Sequence, residues 1–332
     1  MVQQGARIAI VSPASARENN GNWQTASRWA RFLRGRYRVD LLQEWHGQCE
    51  PDLLVALHAR RSAASVAAFA HAFPARPIVL VLTGTDLYRD IATSVEAQDS
   101  LRDASALVLL QSAGLAELAP GLRAKAFVIH QSAPALRPAA PSRRHVDICM
   151  IGHLRPEKDP QTFIRAAGLV RDARVRFLHI GGALDPELGA AANAAQEACT
   201  RYRWLGALPH GAARQRLKRC HAMVIASRME GGANVIIEAV TCGVPVLASS
   251  ISGNRGMLGE DYAGYFAPGD AHALARLVER SSLEPDFYQL LRRQCAARAP
   301  LFDPAAERAA LLDLVDNLLS RESARPIDTE IT

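Results

Sequence analysis

Two glutamates, Glu230 and Glu238, bracket the run EGGANVIIE, and the first three residues between them are small. The loop from Ser227 passes through Gly231, Gly232, Ala233 and Asn234 into an expected helix. Small residues at a helix start leave backbone N–H groups open to a phosphate, and the helix dipole adds favourable potential there. Glu238 lies about 9 Å of rise beyond Gly232, at ~1.5 Å per residue, and its side chain leans back toward the helix start. A carboxylate so placed can accept both hydroxyls of a ribose. The plain alternative is a pair of solvated glutamates on a surface segment, the usual state of that residue type. A second cluster is GHLRPEKDP, with Gly152, His153, Arg155 and Lys158. Only three of the 39 basic residues are lysines, Lys125, Lys158 and Lys218, so a lysine here is locally unusual. Lys158 and Arg155 also read simply as a solvated, capped helix start before Asp159 and Pro160.

Three polar loops stand out in the first half. Asn19, Asn20, Gly21 and Asn22 suit an anion or a sugar phosphate at a helix start, or serve as a turn with Asn22 as cap. His58, Ala59, Arg60, Arg61 and Ser62 carry two arginines able to hold an anion by forked hydrogen bonds. Thr83, Gly84, Thr85 and Asp86, with Tyr88, Arg89 and Asp90, form a dense polar cluster directly after the apolar run IVLVL. A buried strand rarely empties into so many polar groups without a ligand.

These loops must be positioned by something regular. Strands are expected over 7–11, 37–42, 53–57, 78–82, 106–110 and 126–129, then over 146–151, 176–180, 202–205, 222–226, 244–248 and 264–267. Amphipathic segments such as 22–33 and 62–73 lie between them. That alternation predicts parallel sheets covered by helices, whose ligands sit at the strands' C-terminal ends. The chain of 332 residues suits two domains. The stretch QSAPALRPAAPSRR has three prolines and no amphipathic period. It suggests one domain over 1–130, a linker over 131–145 and a second domain over 146–300. A helix over 301–320 is expected to pack back toward the first domain, with a frayed tail over 321–332.

Composition narrows the classes. Hydrophobic residues make up 49% and charged residues 22%, a globular balance. No apolar run reaches membrane-spanning length, and the N-terminus lacks the pattern of a signal peptide, so a cytoplasmic protein is expected. The net charge of +6 is dispersed, with no aromatic-interleaved basic stripe for nucleic acid. The six scattered cysteines lack metal-ligand spacing and read as reduced thiols. No Asp-x-Asp pair occurs, so neither a metal nor any other cofactor is implied.

From Val146 to Arg280 the chain resembles the donor domain of GT-B glycosyltransferases of the family 4 type. The matching pieces are IGHLRPEKD, HIGG, LGALP and ASRMEGGANVIIEAVTCGVPVLAS. The resemblance implies two Rossmann-like domains with parallel sheets facing a central cleft. It implies that Lys158 grips the donor diphosphate, that Glu238 binds ribose, and that Glu230 lies near the donor sugar and phosphates. Two positions depart from the family: His153 stands where an arginine is usual, for which Arg155 is a substitute, and Gly232 and Ala233 replace an aromatic and a glycine. A more open pocket beside the donor sugar is expected.

NNGNWQTASRWARFL, LVALHARRSA, VLTGTDLYRD, GHLRPEKDP and EGGANV together resemble a narrower group, the selenosugar synthases of selenoneine biosynthesis. That resemblance implies a UDP-sugar donor, typically UDP-N-acetylglucosamine, a selenophosphate acceptor, and a carbon–selenium bond formed with release of UDP. Arg60 and Arg61 fit a small charged acceptor. A selenium nucleophile is already anionic near neutral pH and needs no strong base, so transfer is expected to depend on placement and on charge stabilisation by Lys158 and Arg155. Three rivals stand beside this reading. One is an ordinary family 4 transferase with a carbohydrate or lipid acceptor; Arg28, Arg31, Arg34 and Arg36 beside Trp23, Trp29 and Phe32 would suit a membrane surface. Another is an epimerase using Asp86 and Asp90. The last is a non-catalytic UDP-sugar sensor.

Overall fold

The computed structural model describes residues 5–15, 21–139, 142 and 144–323. Asn19 and Asn20, part of the 131–145 segment and the tail from 324 onward lie outside the described residues. The chain divides into two compact units, one built from the chain up to Gln131 together with the segment from Pro304 onward, the other from Ser132–Asp303.

The first unit holds a six-stranded sheet of β1 (Arg7–Val11), β2 (Arg38–Leu42), β3 (Leu53–Leu57), β4 (Ile78–Leu82), β5 (Ala106–Leu109) and β6 (Ala126–Val128). Its order is β2-β1-β3-β4-β5-β6, and every pair is parallel. All residues of β3 (LLVAL) and β4 (IVLVL) are buried, as expected of strands covered on both faces. Alternate side chains enter different cores. Leu53, Val55 and Leu57 join Trp29 and Leu33 on one face, while Leu54 and Ala56 join Phe69 and Trp45 on the other.

The helix Pro304–Ser323 belongs to this unit, placing Leu311, Leu314, Val315 and Leu319 in the first of these cores. Against it lies the helix Gly21–Leu33. Arg28 Nε donates to Glu307 Oε2 at 2.8 Å and Trp29 Nε1 to Oε1 at 2.7 Å. Arg28 and Trp29, which the sequence offered as part of a membrane-facing surface, are therefore turned inward.

The second unit repeats the plan with β7 (Val146–Ile151), β8 (Val175–Ile180), β9 (Tyr202–Trp204), β10 (Ala222–Ile225), β11 (Val246–Ser249) and β12 (Tyr265–Phe266). The order is β12-β11-β10-β7-β8-β9, again parallel throughout. Strand order reverses between β7 and β10, where an open sheet leaves a crevice at its C-terminal edge. The strand expected over 244–248 starts at Val246 because Gly243, at φ +73°, turns the chain and Val244 N–H donates to Ala239 O. Within 131–145, Ala133 and Leu136 pack on the second unit's core, and Arg214 Nη2 donates to Pro134 O at 2.6 Å.

Candidate functional site

The crevice between β7 and β10 gathers the sequence's strongest candidates. After β7 the chain runs through Gly152, His153 and Arg155 into a tight turn, Pro156–Lys158. Asp159 then takes a left-handed conformation at φ +45° and caps the helix Pro160–Leu169 by accepting from Thr162 N–H. This turn aims Lys158 across the crevice, its stem lying 3.7 Å from where a Cβ on Gly152 would sit. Lys158 Nζ forms an ion pair with Glu230 Oε1, and Ser227 Oγ donates to the same oxygen at 2.6 Å. Asp159 also pairs with Arg228 at 2.9 Å, tying the loop after β7 to the loop after β10.

Glu230 is itself held from behind. Ser249 Oγ donates to Ser227 O at 2.6 Å, and the buried Asn254 donates to Ser249 O at 2.9 Å. A Cβ on Gly253 would lie 1.9 Å from Glu230 O, so the backbone approaches as only glycine permits. Gly181 plays the same part on the other loop, at φ +157° and with its Cβ position 1.9 Å from Gly152 O.

Ser227, Glu230, Gly231 and Ala233 are buried, while Gly232 and Asn234 are half-buried. Ala233 precedes the helix Asn234–Thr241. Glu238 lies within that helix, only 7% exposed. His210 Nε2 meets its Oε1 at 2.5 Å. His153 is half-buried and its Nδ1 accepts from Gly182 N–H at 3.1 Å. Burial lowers the His153 pKa, and the charges of Arg155 and Lys158 lower it further, so near neutral pH the positive charge of this loop resides on Arg155 and Lys158. Among the described residues, Arg155 Nε is buried without a hydrogen-bond partner.

In the first unit, the loops after β3 and β4 interlock. His58 is buried with φ +75°; its Nδ1 accepts from Arg61 N–H at 3.3 Å and its Nε2 lies 3.0 Å from Thr85 Oγ1. The Nδ1 acceptor role leaves the proton on Nε2, directed at Thr85. Burial lowers the His58 pKa, keeping the ring neutral. Asp86 is fully buried, and its carboxylate accepts from the N–H groups of Ala59, Thr83 and Gly84 at 3.0, 2.9 and 2.8 Å. It therefore shapes the loop from within. Burial alone would raise the Asp90 carboxyl, but hydrogen bonds from Arg60 and Arg89 bring it below its usual value. Arg60 is thus engaged at 2.9 Å, whereas the exposed Arg61 guanidinium has no hydrogen bond or ion pair among the described residues. Gly21 and Asn22 begin the helix Gly21–Leu33.

Sequence reasoning missed His210, Ser249, Gly253 and Asn254. LGALP, immediately before His210, was read as part of the donor domain, and that position was the available signal.

Residues 137–300 match the family described as Glycosyl transferases group 1. Among solved structures the chain is similar to sucrose-phosphate synthase from Thermosynechococcus elongatus, at 17% identity and TM-score 0.79, over 95% of this chain and 100% of that one. It is similar to Anabaena HepE in complex with UDP-glucose, at 16% identity and TM-score 0.76, over 94% and 99% of the two chains. A third is the lipopolysaccharide outer core galactosyltransferase WaaB, at 12% identity and TM-score 0.67, over 94% and 99%. With two sheets of six parallel strands and these likenesses in structure, the chain has the GT-B fold, and its residues 137–300 are similar to the group 1 glycosyltransferases.

Proposed function

We propose that the protein is a UDP-sugar-dependent glycosyltransferase that transfers its sugar, N-acetylglucosamine in our reading, to selenophosphate. The observation that carries the donor half is the convergence of Lys158, Ser227 and Glu230 at the β7–β10 crevice, with Glu238 one helix further along. In this reading Glu238 takes the ribose, while Lys158, Arg155 and the amides after Gly231 stabilise charge growing on the departing diphosphate. The selenium lone pair forms the bond to the anomeric carbon, and the bonding pair to the diphosphate oxygen leaves with UDP. For the acceptor half, Arg61 is the available anion ligand, and His58 orients the Thr85 hydroxyl.

A carbohydrate or lipid acceptor is the second reading, supported by the likeness to sucrose-phosphate synthase and to the lipopolysaccharide galactosyltransferase WaaB. Its membrane-bound form is disfavoured by the inward Arg28 and Trp29. Epimerisation loses its candidate carboxylates, since Asp86 and Asp90 are already engaged.

Anaerobic incubation with UDP-N-acetylglucosamine and selenophosphate should give UDP and a selenium-containing sugar by mass spectrometry. Intact donor binding with no such product would sink the selenium reading. Glu238→Ala should raise the donor KM about 10- to 100-fold, the scale of a lost charged hydrogen bond, while Arg61→Ala should chiefly raise that of the acceptor. Equal losses for both substrates in either variant would contradict this division.

A further inference from the structure

The His210–Glu238 contact joins two elements that the chain brings together across 28 residues. Glu238 is nearly buried, and a buried polar group needs a hydrogen-bond partner. Its Oε1 contacts His210, while Oε2 has no protein partner among the described residues. An ionised carboxylate only accepts, so His210 Nε2 carries the proton of this bond. His210 opens the helix His210–Leu217 directly after Pro209, a fixed point from which a short side chain can steer another. Its own side chain is 44% exposed, so it is dispensable to the core.

We propose that His210 is a positioning residue for nucleotide recognition: by holding Oε1 of Glu238 it fixes the carboxylate so that Oε2 presents to a ribose hydroxyl. The proposal rests on the reading of Glu238 as the ribose ligand. A free glutamate side chain must be ordered when it captures a hydroxyl, and an ordered one has already met that cost, so preorganisation appears as affinity. The gain is confined to the ribose, because His210 contacts Glu238 and not Lys158 or Glu230. It should therefore be visible as selectivity for a hydroxylated sugar ring rather than as general tightness.

The test measures, by calorimetry, the dissociation constants of UDP and 2′,3′-dideoxy-UDP for the full chain and for His210→Ala, His210→Gln and Glu238→Ala. The wild type should prefer UDP. His210→Ala should weaken UDP about five- to tenfold, the scale of one hydrogen bond, with little change for the dideoxy nucleotide, so the preference shrinks. His210→Gln, which keeps an N–H donor, should recover part of it at an unchanged melting temperature. Undiminished preference in His210→Ala, or equal weakening of both nucleotides, overturns the proposal. If the wild type shows no preference, or Glu238→Ala retains it in full, the ribose assignment fails first and the role of His210 falls with it.

Discussion

Lys158 and Glu230 neutralise one another, so a diphosphate engaging Lys158 as proposed would compete with a carboxylate already in place. The geometry of that carboxylate therefore matters as much as its charge, and Gly253 sets it through its close approach to the Glu230 carbonyl. Gly253→Ala should displace the Glu230 loop and weaken UDP binding at least about tenfold, equivalent to ~1.4 kcal/mol; calorimetry with a circular-dichroism check of folding reads both quantities. Lys158, Glu230 and Glu238 were legible because their spacing within two short runs carries the signal. His210, Gly253 and Asn254 were not, since they reach the glutamates through sheet order rather than through neighbouring sequence. The polar richness of Thr83–Asp90 was legible, but not its direction: Asp86 spends its carboxylate on three backbone N–H groups.

At the scale of elements, strands were readable because burial on both faces demands unbroken apolar runs, as in β3 and β4. Their ends were less so: Gly243 delays β11, and Asp86–Asp90 forms a helical turn where a loop was read. A polar intruder in β8 gives that sheet a pH dependence. His179 is fully buried, 2.9 Å from the Tyr202 hydroxyl, and burial lowers its pKa to about 4. The unfolded chain binds this proton near pH 6.5, so the unfolded state holds more protons between the two values. Stability from this group is thus present above pH 6.5 and is lost as pH falls toward 4, by roughly 3 kcal/mol. Urea unfolding of the second unit at pH 7 and pH 4.5 should show a smaller acid loss in His179→Asn than in the wild type. Equal losses would show that another group carries the effect.

The first unit is closed by a contact between residues 279 positions apart. Glu307 receives both Arg28 and Trp29 in a nearly solvent-free place, a pairing that a reading of either segment alone turns into a surface feature. Glu307→Ala would strand the Arg28 charge and should destabilise the first unit by about 3–5 kcal/mol; a denaturation midpoint for that unit unchanged from wild type would refute the estimate. Because Pro304–Ser323 supplies part of the first core, that core cannot close until the intervening 172 residues, Ser132–Asp303, have been made. At ribosomal speeds of about 5–20 residues per second, the nascent first sheet waits roughly ten to thirty seconds with the Trp29 face uncovered. The second unit, contiguous in the chain, can fold during that interval and shorten the loop that the returning helix must close. Synthesis order thus makes the second unit mature first and leaves the first dependent on protection at the ribosome.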